Sequence, residues 1–209
     1  MVSGQFISIE GGEGAGKSTQ IRLLAEWLES RGIETVTTRE PGGTPGAEAI
    51  RELLMSGSAD RWNSRAEALL FAAARADHVD KLIKPALVAG KWVLCDRFVD
   101  SSRAYQSGGS GLADADIMAL HAIGSEGLLP DMTLVLELPL AEASARAAAR
   151  DGAATDRFGA RNATFHENVA AAFRGYAQQD NNRFRIIDAA GDVETVHMHI
   201  VQAVGALLS

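Results

Sequence analysis

Cysteine is almost absent from this chain of 209 residues, where Cys95 stands alone. One thiol excludes a disulfide framework and any zinc cluster of cysteine type. Within an apolar run it reads as a small buried hydrophobe. Lysine is scarce as well, and arginine far outnumbers it. Acidic residues exceed basic ones, 27 to 20, for a formal net charge of −7. That balance argues against a broad polyanion-binding surface, so no nucleic-acid partner is expected. No apolar run approaches a membrane span, and the first residues lack the basic and apolar regions of an export signal. The expectation is a cytoplasmic protein without a membrane partner. Internal repeats and interdomain linkers are also missing. Residues 1–209 therefore read as one domain, with 46% hydrophobic residues to build its core.

What the chain does have is a glycine-rich block near its start. Gly11-Gly12-Glu13-Gly14-Ala15-Gly16-Lys17-Ser18 matches G-x-x-x-x-G-K-[ST]. It follows the apolar run Phe6-Ile7-Ser8-Ile9 and opens a helix-patterned segment, Thr19 to Arg31, with Ile21, Leu24, Ala25 and Leu28 on one face. Strand, loop and helix in that order is the context a phosphate loop requires. Glycines let successive N–H groups point at one anion, and the helix N-terminus adds partial positive charge there. Gly11 through Thr19 would hold the nucleotide, Lys17 reaching its outer phosphates and Ser18 holding Mg²⁺.

Further along, strands are expected at Gln5–Glu10, Glu34–Thr38, Lys91–Cys95, Met132–Leu138 and Arg183–Asp188. They alternate with helical patterns, which predicts an α/β fold with a five-stranded parallel sheet covered on both faces. Arg39 to Gly46 is a breaker-dense loop at a strand end, where ligands of such sheets gather. Ser64–Val88 reads as one long helix, bent at Pro85, with Leu69, Ala72, Ala76, Val79 and Ile83 as its apolar row. Phe71, Arg75 and His78 share another face, and an aromatic four residues from an arginine can hold a planar group. Asp96 ends the third strand, in the place where a second Mg²⁺ contact is supplied. Ser107 to Gly111 reads as a short glycine run beside the site. The helix after Pro139 carries Arg146 and Arg150, and the pattern then breaks from Asp151 to Asn162. An arginine-bearing excursion of this kind suits a lid over phosphates, placed at about residues 150–162. His197 and His199 are two apart on a helix, share no face, and read as structural.

These blocks together resemble the thymidylate kinase family. Phe6–Thr19 supplies its phosphate loop, and Thr38-Arg39-Glu40-Pro41-Gly42-Gly43-Thr44 is similar to its second signature. Leu70-Phe71 with Arg75, Asp96-Arg97 with Ser101, and Ala104-Tyr105-Gln106 before glycines complete the set. The likeness implies a P-loop NTPase three-layer sandwich of nucleoside-monophosphate-kinase type with a lid. It implies phosphoryl transfer from ATP to dTMP with Mg²⁺ held through Ser18 and Asp96, and a homodimer. By the same resemblance, Lys17, Asp96, Arg97 and Glu13 would be catalytic, with Glu13 accepting from the sugar 3′-hydroxyl. Arg39 and Arg97 would clamp the acceptor phosphate. Phe71 would stack on thymine and Arg75 would donate to a base carbonyl. Tyr105 would pack where a 2′-hydroxyl would lie, with Ser101 and Gln106 near the base. Gly14 stands where one branch of the family has arginine. That places this chain in the branch whose transition-state arginines lie in the lid, here Arg150 and Arg157, in a segment slightly longer than usual.

The competing readings are a kinase for another nucleotide and a guanine-nucleotide switch. The switch requires an N-K-x-D element, which this sequence does not contain.

Overall fold

The computed structural model describes residues 4–58, 60–151 and 157–208. Its described residues form one five-stranded parallel sheet in the order β2-β3-β1-β4-β5. The strands are β1 Phe6–Gly11, β2 Thr35–Arg39, β3 Trp92–Asp96, β4 Met132–Glu137 and β5 Phe184–Asp188, each within a residue or two of the expected span. Side chains alternate across the sheet. Ile7, Ile9, Leu94, Leu134 and Leu136 turn to one face, under α1 Lys17–Glu29 and α9 Val193–Gly205. Phe6, Val93 and Cys95 turn to the other, under the helices that follow β2 and β3.

Those helices are α2 Pro45–Met55, α3 Ser64–His78, α4 Lys84–Val88, α5 Val99–Ser102 and α6 Asp114–Ser125; α7 Leu140–Asp151 and α8 Ala163–Gln179 follow β4. Side-chain caps start several of them: Thr44 accepts from Ala47 N–H, Asn63 from Ala66, Asn162 from Phe165 and Asp192 from Thr195. Between α3 and α4 the helix widens into a π-helical stretch, Val79–Ile83. Pro85 supplies the reason, since it lacks an N–H and its ring crowds the carbonyl four residues back.

Two expectations are corrected. Leu69 is 56% exposed, whereas Glu67, Arg75 and His78 on the same helix are buried. The inward face of α3 covers a polar site, so Glu67, Arg75 and His78 are buried there beside the small Ala68 and Ala74; only Val79 and Ile83 of the expected row reach the core. The helix from Ser64 to Val88 is also interrupted, by the π-helical stretch just described. The glycine run after Gln106 lies beside the site, as expected. It closes a π-helical stretch, Arg103–Gly109, against α8, and a Cβ on Gly109 would lie 2.4 Å from the Phe165 ring.

Because β1 lies between β3 and β4, the chain leaves its carboxyl end toward opposite sides of the sheet. A crevice opens there.

Candidate active site

At the end of β1 the backbone turns through Gly11, whose φ is 130°. A Cβ there would stand 2.4 Å from the Leu136 carbonyl oxygen of the neighbouring strand, so only glycine fits. Gly16, also left-handed at φ 87°, precedes the first turn of α1. Lys17 folds back over this loop, its Nζ donating to Gly12 O at 2.8 Å and Gly11 O at 3.3 Å. Burial first, and then the Arg97 charge, lowers its pKa to about 8. Its ammonium is thus caged by carbonyls that a nucleotide's phosphates can replace.

Ser18 Oγ donates to Asp96 Oδ2 at 3.2 Å, joining two residues 78 positions apart. Asp96 Oδ1 is buried without a hydrogen-bond partner among the described residues. One hydroxyl, one carboxylate and an orphan carboxylate oxygen suit a magnesium ion, which takes few protein oxygens and completes its shell with water and phosphate. No group of three His, Cys, Asp or Glu able to hold a metal occurs among the described residues.

The loop lines a cavity of about 550 Å³. Register puts Arg39 opposite Asp96 at the adjoining strand ends. Arg39 is half exposed and bonded to both oxygens of Glu48 at 3.1 and 3.2 Å. Arg97 has left-handed backbone, φ 70°, unusual for a residue with a side chain. Its guanidinium lies 5.1 Å from the Tyr105 ring centre and donates to Ser101 Oγ at 3.1 Å. Both arginines face the cavity, where their positive charges suit one phosphate dianion.

A more apolar part of the same wall consists of Phe71, Tyr105, Met55 and Phe158, with Phe71 and Phe158 rings 5.7 Å apart. Arg75 is held firmly at its edge. Its Nε donates to Glu40 at 2.7 Å, and Nη2 to Ser102 Oγ at 2.8 Å and Phe98 O at 3.3 Å. Glu40 is itself shared with His78 Nδ1 at 3.0 Å, while His78 Nε2 meets Thr38 Oγ1 at 2.7 Å. Gln106, also on the wall, donates to Glu67 at 3.1 Å. The Phe71–Arg75 pair is therefore part of a cavity wall and not a surface stack.

Of the residues the sequence singled out, the cavity brings together Glu13, Gly14, Gly16, Lys17, Ser18, Thr19, Arg39, Phe71, Arg75, Asp96, Arg97, Ser101, Tyr105 and Gln106. Two lid arginines fall differently. The side chain of Arg150 lies outside the described residues. Arg157 does not line this cavity: its Nη1 donates to Leu54 O at 2.7 Å, its Nε to Ser58 O at 2.8 Å, and Nη2 stands 3.5 Å from Glu67. It satisfies the Leu54 carbonyl, left open at the end of α2, and adds a second donor to Ser58 O, which also accepts from Arg61 N–H at 3.1 Å, a pull the local sequence does not reveal. Among the described side chains of α7, Arg146 lines the cavity that the phosphate loop also lines, and its Nη1 donates to Ala189 O at 3.3 Å. Glu40, Ser102 and Phe158 were missed by sequence reasoning. Glu40 lies inside the Thr38-to-Thr44 block and Ser102 directly after Ser101, which was the available signal.

Comparison with known proteins agrees with this geometry. A family model described as thymidylate kinase matches residues 9–200. The chain is 56% identical to the thymidylate kinase of Rhizorhabdus wittichii, over 98% of this chain and 99% of that one. It is 50% identical to that of Caulobacter vibrioides, over 94% and 93%. Among solved structures it resembles thymidylate kinase from Ehrlichia chaffeensis, with a TM-score of 0.78 and 31% identity over 97% of this chain and 99% of that one.

Proposed function

The chain belongs to the thymidylate kinase family, and from that premise we propose that it transfers the γ-phosphoryl group of ATP to dTMP, giving dTDP and ADP on the route to dTTP. The observation that carries the reading is a single cavity that joins a phosphate loop to a ring-lined pocket, with Arg39 and Arg97 on the same wall.

Transfer of this kind needs alignment and cations more than covalent help. Arg39 and Arg97 would grip the acceptor phosphate and offset its repulsion from the donor. Lys17 would leave its loop carbonyls for the donor's outer phosphates. Phe71 would stack on the base, and Arg75, fixed by Glu40 and Ser102, would present a guanidinium edge to a base carbonyl. Ser18 and Asp96 are the residues proposed to hold Mg²⁺, which neutralises phosphate charge when bound. Arg146 and Arg150 are the α7 cations proposed to face the transferring group.

No helix among the described residues is long and apolar enough to cross a membrane, in keeping with the proposed cytoplasmic setting. A second copy of the chain is the proposed partner. Leu69 and Ile123, 56% and 83% exposed, sit on α3 and α6, two helices packed together with Gly124 against Ala72 and Ala76.

The test is an ADP-release assay with ATP and Mg²⁺, offering dTMP, dUMP, dCMP, dGMP, AMP and thymidine in parallel. Turnover should strongly favour dTMP. Preference for another acceptor would overturn the roles of Phe71, Arg75 and Tyr105, and hydrolysis indifferent to every acceptor would overturn the kinase reading.

A further inference from the structure

Glu10 is the last residue before the phosphate-loop block, fully buried at the end of β1, and none of the steps above uses it. Both of its carboxylate oxygens are engaged, and both by the segment that carries Arg97. Oε1 accepts from Phe98 N–H at 2.7 Å, and Oε2 accepts from Ser101 Oγ at 2.5 Å. Ser101 Oγ in turn accepts from Arg97 Nη1 at 3.1 Å. Strand β1 grips the same turn a second time, through Arg97 N–H to Ile9 O at 3.0 Å. The turn needs gripping because Arg97 holds a left-handed backbone, a conformation that a side chain makes unfavourable.

We propose that Glu10 is the positioning residue of the acceptor-phosphate clamp: it fixes the Arg97 turn through Phe98 N–H and aims the Arg97 guanidinium through Ser101. This rests on the assignment of Arg97 to the acceptor phosphate.

The chemistry of the chain of bonds supports it. A serine hydroxyl has one proton to give, and giving it to Glu10 leaves its oxygen lone pairs for Arg97. One guanidinium N–H is thereby directed sideways, and the remaining donors are left for an anion in the cavity. An alanine at 101 or an amide at 10 breaks or reverses this polarity. Burial raises the Glu10 carboxyl to about 8, with Asp100 adding to the rise, while Ser101, Arg97 and Phe98 pull the other way. Both hydrogen-bond donors to Glu10, Phe98 N–H and Ser101 Oγ, thus belong to the clamp segment, and the Arg97 charge adds to them.

The experiment compares binding of dTMP and thymidine, which differ only in the 5′-phosphate, to the parent enzyme, Glu10→Gln and Ser101→Ala. Isothermal titration gives both affinities, and steady-state kinetics gives KM for ATP. If Glu10 acts through Arg97, Glu10→Gln should weaken dTMP about tenfold or more, the cost of leaving a buried donor without its acceptor, and leave thymidine and KM for ATP within about twofold. Ser101→Ala, which severs the relay but keeps the Phe98 contact, should show the same selective loss. The double variant should then bind dTMP no more than about twofold worse than Glu10→Gln. Equal losses for dTMP and thymidine, or fully additive losses in the double variant, would overturn the proposal. Should Glu10→Gln fail to fold, Ser101→Ala decides alone, because unchanged dTMP affinity there removes the relay. A parent enzyme that does not bind dTMP would instead refute the acceptor assignment itself, which separates the two failures.

Discussion

Replacing Arg157 with alanine should cost stability before it costs chemistry. Its guanidinium is almost fully buried and donates at 2.7 and 2.8 Å to the carbonyls of Leu54 and Ser58, with Glu67 3.5 Å away. The substitution strands the Leu54 carbonyl, takes one of two donors from Ser58 O, which keeps Arg61 N–H at 3.1 Å, and removes one of the cations near a buried carboxylate. Arg161, 3.7 Å from Glu67 and partly exposed, compensates only in part. Breaking one side of such a buried pair costs about 3–5 kcal/mol. For a chain of this length each kcal/mol lowers Tm by about 2–4 °C, so the variant should melt roughly 6–20 °C below the parent. The assay is thermal denaturation followed by circular dichroism, paired with initial rates at 15 °C, where both proteins remain folded. At that temperature kcat should fall only a few fold, and KM for dTMP should rise because Gln106 and Phe158 share the same buried junction. The comparison variant is Arg150→Ala, which, if this arginine has the proposed role, should lower kcat by about 10³, as loss of an arginine finger does. An Arg157→Ala protein with parental Tm and a thousandfold lower kcat would refute the reasoning and return Arg157 to the transferring phosphoryl group.

The remaining expectations follow from single contacts. Lys17 in the free enzyme has its pKa lowered from 10.5 to about 8, so between those values the folded chain binds fewer protons than the unfolded one. Its charged form is lost as pH rises through about 8. kcat/KM for ATP should fall above that pH, while kcat holds further because bound phosphates favour the ammonium; a kcat/KM flat to pH 9.5 would refute this. Gly11→Ala should abolish ATP-dependent turnover and lower Tm, since its Cβ meets the Leu136 oxygen at 2.4 Å and its backbone is strained; normal turnover would show that β4 yields. Phe71→Ala should raise KM for dTMP roughly tenfold, the loss of about 1–3 kcal/mol of base stacking, with KM for ATP unchanged. An equal rise in both would deny it the base.

What the sequence made legible was what is local. The phosphate loop, its strand and its helix announce themselves because glycine placement, apolar run and helix period are each decided within a few residues. The five strands were found within a residue or two for the same reason. Leu69 shows where that logic stops. Hydrophobic periodicity assumes that the buried face of a helix is the apolar one, but α3 covers a charged cavity, so Glu67, Arg75 and His78 go in and Leu69 stays out. Arg157 fails by a related route. Among alanines and glycines an arginine looks reserved for a ligand, yet its place is decided by an open carbonyl at the end of a helix about 100 residues earlier.

Glu10 marks the deepest version of this limit. It ends an apolar run next to the most conspicuous motif in the chain, and nothing around it in sequence suggests a partner. Its partners lie 88 and 91 residues away, on the turn that follows a neighbouring strand. In a parallel sheet of this order the ends of β1 and β3 are adjacent by construction, so a carboxylate at one can govern a guanidinium at the other. Topology thus determines which distant polar residues meet, and chemistry determines which of those meetings can hold a charge out of water. A residue identified only by that pair of conditions is open to a selective test, because its loss should follow the 5′-phosphate and spare the base.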